Sequence, residues 1–195
     1  MPNTLAELIS SRICHDLISP VGAIGNGLEL MEAMGGLSPE LALVSESAHS
    51  AQAKLKFFRV AFGAGSGNMI GGAEAARVAV EMFTAGRLSL EVAESWGARE
   101  RGLVKLLYLL LLCMESSLPR GGKMQLTPTV PGWRITVEGV PVAPPAALWR
   151  YVSEGHNGIE VSAKTIQFSL ARQSMVEQSI AISVKFSDTS LQLAF

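Results

Sequence analysis

Two helical stretches at the start of the chain, each apolar along one side, constrain its fold more than any other feature. At about 100° per residue, Ile13, Leu17, Val21, Ile24, Leu28 and Met31 fall in one sector. They make the apolar stripe that an amphipathic helix buries. Gly35-Gly36 ends this segment. Ser38-Pro39-Glu40 opens the next with an N-cap serine, a proline at the first helical position and an acid. Leu41, Val44, Ala48, Ala51, Leu55, Phe58 and Phe62 then recur in alternating three- and four-residue steps, a heptad seam. Two long helices with a short link fold back as an antiparallel hairpin. One hairpin buries such a seam poorly, so two hairpins from two chains are expected to form a four-helix bundle, a homodimer with two-fold symmetry.

The first helix contains Cys14-His15-Asp16-Leu17-Ile18-Ser19-Pro20-Val21. Proline inside a helix costs roughly 3 kcal/mol or more, and it leaves the carbonyl four residues earlier without its donor. His15 points directly away from the apolar stripe. Arg12, Ser19, Gly22 and Asn26 share its side, within about 60°. That side is small and polar, so another protein can approach the imidazole closely. Gly22, Gly25 and Gly27 each cost a helix interior roughly 1 kcal/mol relative to alanine. Gly22, next to His15, suits docking; Gly25, at the edge of the stripe, suits tight helix packing. A surface histidine without a task is the alternative, but the pattern favours a phosphoryl-accepting histidine.

The stretch Gly63-Ala64-Gly65-Ser66-Gly67-Asn68 reads as a linker. It divides a hairpin domain, residues 1–67, from a second domain, residues 68–195. In the second, residues 73–84, 99–117, 144–154 and 163–178 read as helices. Residues 88–92, 123–127, 133–138, 180–186 and 190–195 read as strands. The order implies an α/β sandwich, a mixed sheet with helices on one face, so the whole chain is α+β. Charged residues are 17% of the 195, and the net charge is −1. With no basic stripe, nucleic acid is not an expected partner. Arg99, Arg101 and Lys105 read as a solvated helix face. The most apolar run, Leu103 to Met114, is too short for a membrane span, which needs about 20 residues. Glu7, Arg12 and Asp16 exclude a signal-peptide core near the start. Two cysteines, Cys14 and Cys113, read as reduced thiols, and a cytoplasmic location is expected. His49 and His156 read as solvated and turn-bound, with no ligand spacing for a metal.

His15-Asp16-Leu17-Ile18-Ser19-Pro20-Val21 resembles the phosphoacceptor box of sensor histidine kinases: His, acid, Leu, any residue, a small polar residue, Pro, aliphatic. The longer run Arg12 to Ile24, with Asn26-Gly27-Leu28-Glu29 after it, is similar to the ChpT-type histidine phosphotransferases of alphaproteobacteria. The second half resembles a kinase ATP-binding domain in element order and length. Its nucleotide boxes are degenerate. Leu109 and Cys113 stand where kinases carry two asparagines for Mg-ATP, and neither offers the hard oxygen that magnesium takes. Gly139-Val140-Pro141-Val142 stands where an acidic adenine-reading box belongs, and Ile159 to Gln167 lacks a glycine-rich box.

The resemblance implies a phosphotransferase that relays a phosphoryl group through phospho-His15. The group passes from the receiver domain of a hybrid histidine kinase to the receiver domains of response regulators. It also implies no ATP and no cofactor of the chain's own, with magnesium supplied by the receiver. A divergent ATP-dependent kinase and a non-catalytic dimeric protein that docks kinases or receivers are the alternatives. A neutral imidazole, with an ordinary pKa of about 6.5, is a competent nucleophile at neutral pH. Asp16 either orients the ring or is a solvated helix acid. Arg12 either meets the transferred phosphate or pairs with acids of its own helix. Ser19 either bonds a partner or accommodates Pro20. Ile18 is expected as an apolar docking anchor on the open face. Lys56 and Arg59 of the second helix are further candidate contacts for the receiver.

Overall fold

The computed structural model describes residues 5–36, 38–65, 67–84, 87–93, 96–130, 132–139, 141–155 and 160–195. The turn expected around His156, the linker's Ser66, and Pro131, Val140 and Ile159 lie outside the described residues.

The chain opens with the expected hairpin. Helix α1 (Leu5–Gly35) runs unbroken through Pro20. Gly36 closes it with φ +88°, a left-handed conformation suited to glycine. Ser38 caps α2 (Pro39–Ala61), its Oγ accepting from the Leu41 N–H at 3.4 Å. The helices meet through Cys14, Gly25 and Leu28, all buried, with Ile18 and Val21 half-buried beside them. Small residues at Cys14 and Gly25 allow the close approach.

The packing faces differ from the sequence expectation. On α1, Ile13, Leu17, Ile24 and Met31 are exposed in the single chain; only Leu28 of the stripe is buried. On α2, Ala48 alone of the expected seam is fully buried, and Val44 is exposed. The buried positions are Ser45, Ala48, Ala53, Phe57, Val60 and Ala61. The reason is a second neighbour: α2 also packs on the helices of the second half, so its apolar side is turned to serve both.

After the hairpin come β1 (Met69–Ile70), α3 (Gly72–Thr84), β2 (Leu88–Val92), β3 (Arg99–Glu100) and α4 (Arg101–Glu115). Then follow β4 (Gly122–Pro128), β5 (Trp133–Glu138), α5 (Ala146–Glu154), α6 (Ile166–Gln178), β6 (Ser183–Phe186) and β7 (Ser190–Ala194). The main sheet runs β2-β4-β5-β7-β6. The β2–β4 pair is parallel and the others are antiparallel. Leu88, Leu90, Met124, Leu126, Ile135, Val137, Leu191 and Leu193 are buried on one face. Ser89, Glu91, Gln125, Arg134 and Gln192 alternate with them and are exposed. The buried face meets the helices in one core, which α2 joins through Phe57, Val60 and Ala61. Phe57 stacks on Tyr108 with ring centroids 4.2 Å apart. A small antiparallel pair, β1 with β3, was not expected from the sequence; strands of two residues carry no readable period.

Arg101 and Lys105 are not a solvated face. Lys105 is buried, and its ammonium donates to Glu7 Oε1 at 2.5 Å and to the Gly63 carbonyl at 2.8 Å. Arg101 donates to the carbonyls of Ala64 at 2.9 Å and Arg59 at 3.0 Å. The two cations at the start of α4 therefore take up the free carbonyls at the end of α2 and in the linker. Arg99 belongs to β3 and is turned to the carbonyl of Ala98.

Candidate phosphoacceptor site

His15 leaves α1 one position after the buried Cys14, so its side chain is carried round to the open side of the helix. The imidazole is 80% exposed. Its Nδ1 lies 3.2 Å from Asp16 Oδ1. The other oxygen of Asp16 accepts from Arg12 Nε at 2.7 Å, one helical turn away. The hydrogen bond to His15, and after it the one from Arg12, hold the Asp16 carboxyl below its usual range. An ionised carboxylate only accepts hydrogen bonds, so Nδ1 is the donor in this contact. In the neutral ring a proton on Nδ1 leaves the lone pair on Nε2, which no described residue engages.

Ser19 and Asn26 are exposed along the same side of α1. Gly22 is half-buried there, and a Cβ on it would meet nothing within 4 Å. Gly25 differs: a Cβ would stand 2.3 Å from Gln52 Nε2, which donates to the Val21 carbonyl at 3.2 Å. This glycine lets α2 reach the backbone of α1.

Ile18 is not on the open face. It is half-buried toward α2 and lines a groove of about 260 Å³ with Lys56, Arg59, Met69, Ile70 and Arg77. The expected residues thus fall in two adjoining groups. Arg12, His15, Asp16, Ser19, Gly22 and Asn26 run along the outer side of α1, while Ile18, Lys56 and Arg59 share the groove. Lys56 lies 3.9 Å from Glu81, and Arg59 is exposed. The sequence did not point to Met69, Ile70 or Arg77, whose place depends on the short β1 and on how α3 leans against α2.

His49 is more than a solvated side chain. Its Nδ1 donates to the Ser45 carbonyl at 2.8 Å, and its Nε2 meets Glu29 Oε1 of the other helix at 3.0 Å. The Glu29 hydrogen bond first, then that to Ser45, raise its pKa above the ordinary 6.5. Among the described residues no group of three or more His, Cys, Asp or Glu side chains could hold a metal ion. No described helix is long and apolar enough to cross a membrane.

Comparison with known proteins adds the family. Residues 72–190 match the histidine phosphotransferase C-terminal domain family, well over half of the chain. The protein phosphotransferase ChpT of Brucella abortus (strain 2308) is 43% identical over 145 residues, covering 69% of this chain and 68% of that protein. A bacterial phosphotransferase of known structure superposes with a TM-score of 0.71 at 29% identity, over 99% of this chain and 98% of its own. The exposed histidine box therefore stands on a hairpin and sandwich shared with phosphotransferases, and the chain belongs to the ChpT-type histidine phosphotransferases, proteins of two-component phosphorelays.

Proposed function

We propose that His15 is the phosphoryl-accepting residue, and that the chain relays the group from the receiver domain of a hybrid histidine kinase to the receivers of response regulators. The observation that carries this reading is the exposed imidazole with Asp16 on Nδ1 and nothing described on Nε2. The Nε2 lone pair attacks the phosphorus of an aspartyl phosphate on the docked receiver. The N–P bond forms as the P–O bond breaks, and the receiver's aspartate departs as a carboxylate with the bonding electrons. Nδ1 keeps its proton, and the negative charge of Asp16 offsets the positive ring. The reverse steps hand the group to a second receiver. Phosphoryl transfer depends mainly on positioning and charge stabilisation, and in this reading magnesium comes with the receiver's acidic pocket.

Relay without ATP is supported by Leu109 and Cys113, which are fully buried where a kinase would present asparagines. The receiver docks against the outer side of α1, with Ser19, Gly22 and Asn26 beneath it. The adjoining groove of Ile18, Lys56 and Arg59 extends that surface toward the second half. Homodimerisation is supported by the exposed apolar side of α1, where Ile13 (53%), Leu17 (45%), Ile24 (54%) and Met31 (48%) are open to solvent in the single chain. Burying them against a second hairpin completes the four-helix bundle. Two unpaired thiols, Cys14 and Cys113, fit a reducing cytoplasmic setting. A net charge of −1 favours protein partners over nucleic acid.

The test is a transfer assay with a radiolabelled phosphorylated receiver, and in parallel with labelled ATP alone. Label should pass from the receiver to the chain, and His15→Ala should abolish this while circular dichroism stays unchanged. Label acquired from ATP alone would turn the reading toward a kinase. No label from either source, with receiver binding intact, would leave a docking protein.

A further inference from the structure

His15 and Asp16 are sequence neighbours, so their side chains leave the helix about 100° apart and helical geometry alone does not bring them together. In the structure they do meet, and the carboxylate is also held from the other side. Arg12 lies three residues before His15 and four before Asp16, between them in azimuth and one turn below. Its Nε bonds Asp16 Oδ2 at 2.7 Å, which leaves Oδ1 turned to His15 Nδ1 at 3.2 Å. The guanidinium is engaged within its own helix rather than reaching past the histidine.

We propose that Arg12 is a positioning residue that sets the tautomer of His15 through Asp16. The proposal rests on the reading of His15 as the phosphoacceptor. A free imidazole prefers its proton on Nε2, which would occupy the lone pair needed for attack. An acceptor at Nδ1 reverses that preference, since the hydrogen bond made by one ring nitrogen decides the state of the other. Asp16 is half-exposed, its side chain at 47%, and without Arg12 its carboxylate is free to swing away into water. An exposed pair one turn apart adds little to stability, so its loss should be felt in the ring's proton and not in the fold.

The experiment uses the full-length chain with Arg12→Ala, Arg12→Lys and Asp16→Ala. Nitrogen–proton correlation spectra of the histidine side chains, with His15→Gln to assign the signal, report the tautomer without any partner. Transfer from a phosphorylated receiver gives kcat and KM separately. Arg12→Ala should move His15 from the Nδ1–H toward the Nε2–H form and lower kcat about threefold or more with KM unchanged. Arg12→Lys should restore most of both. Combining Arg12→Ala with Asp16→Ala should cost no more than Asp16→Ala alone. A tautomer unchanged in Arg12→Ala, or a raised KM with kcat intact, would overturn the proposal and make Arg12 a partner contact. A tautomer that shifts in a protein whose His15 never takes phosphate would uphold the positioning role and sink the relay reading.

Discussion

Two glycines one turn apart on α1 have opposite surroundings. Gly25 is closed in by Gln52, whereas a Cβ on Gly22 would stand in open space, on His15's side of the helix and two turns further along. Gly22→Ala should therefore raise stability by about 0.5–1 kcal/mol, the helix propensity gained. If a receiver settles on this surface, the same methyl should slow transfer severalfold, because the space is then the partner's. Urea unfolding and transfer kinetics on one preparation check both halves. At this scale much of the site is legible in the sequence. The helical wheel puts Arg12, Ser19, Gly22 and Asn26 on the histidine's side, and spacing allows Arg12 to pair with an acid of its own helix. Asp16 is the one acid at pairing distance from Arg12 along the helix; what spacing does not reveal is that the same carboxylate also meets His15, its neighbour in sequence.

The ends of α1 and α2 are legible because caps are local: Ser38 and Pro39 act within one turn of themselves. The faces are less so. A periodic stripe says that a side is apolar, not which neighbour covers it, and α2 has to cover both α1 and the sandwich. The outward row of α1 is the result. His49 is a second case, since its acceptor Glu29 is supplied by the other helix. Both ring nitrogens are directed at oxygen acceptors, an arrangement that only the charged imidazolium satisfies fully. Glu29 and Glu32 of α1 face it and raise its pKa in the folded state. A raised folded pKa stabilises fully below the unfolded value of about 6.5 and fades as pH rises through the folded value. The urea midpoint should therefore fall from pH 6 to pH 8.5 by more in the native chain than in His49→Gln. Equal falls would show that the bridge does not form in solution.

For the whole molecule, the proposed homodimer rests on the open side of α1. Ile24→Glu places a charge in the centre of that side, and in a two-fold dimer it would count twice. Burying an isoleucine is worth about 1.5–3 kcal/mol, so the dimer should weaken by about 3 kcal/mol or more, read by sedimentation equilibrium. Circular dichroism should be unchanged, because Ile24 is already exposed within one chain. The hairpin alone is a poor substitute for the full chain in such work. Removing the sandwich would uncover Phe57, Val60 and Ala61, which belong to the common core.

The element order of that sandwich is readable because β2, β4, β5 and β7 alternate buried and exposed residues and the apolar run of α4 is too long for a strand. The joint to the hairpin is not, because Lys105 finds Glu7 98 residues away and sits in a run whose other members are almost all apolar. That joint limits what can be recombined. A chimera that grafts this hairpin onto another sandwich must also import an arginine and a lysine one turn apart at the head of the receiving helix. Without them the carbonyls of Arg59, Gly63 and Ala64, and the carboxylate of Glu7, lose the donors they have here. A swap that leaves those two cations behind should therefore melt earlier than one that carries them along.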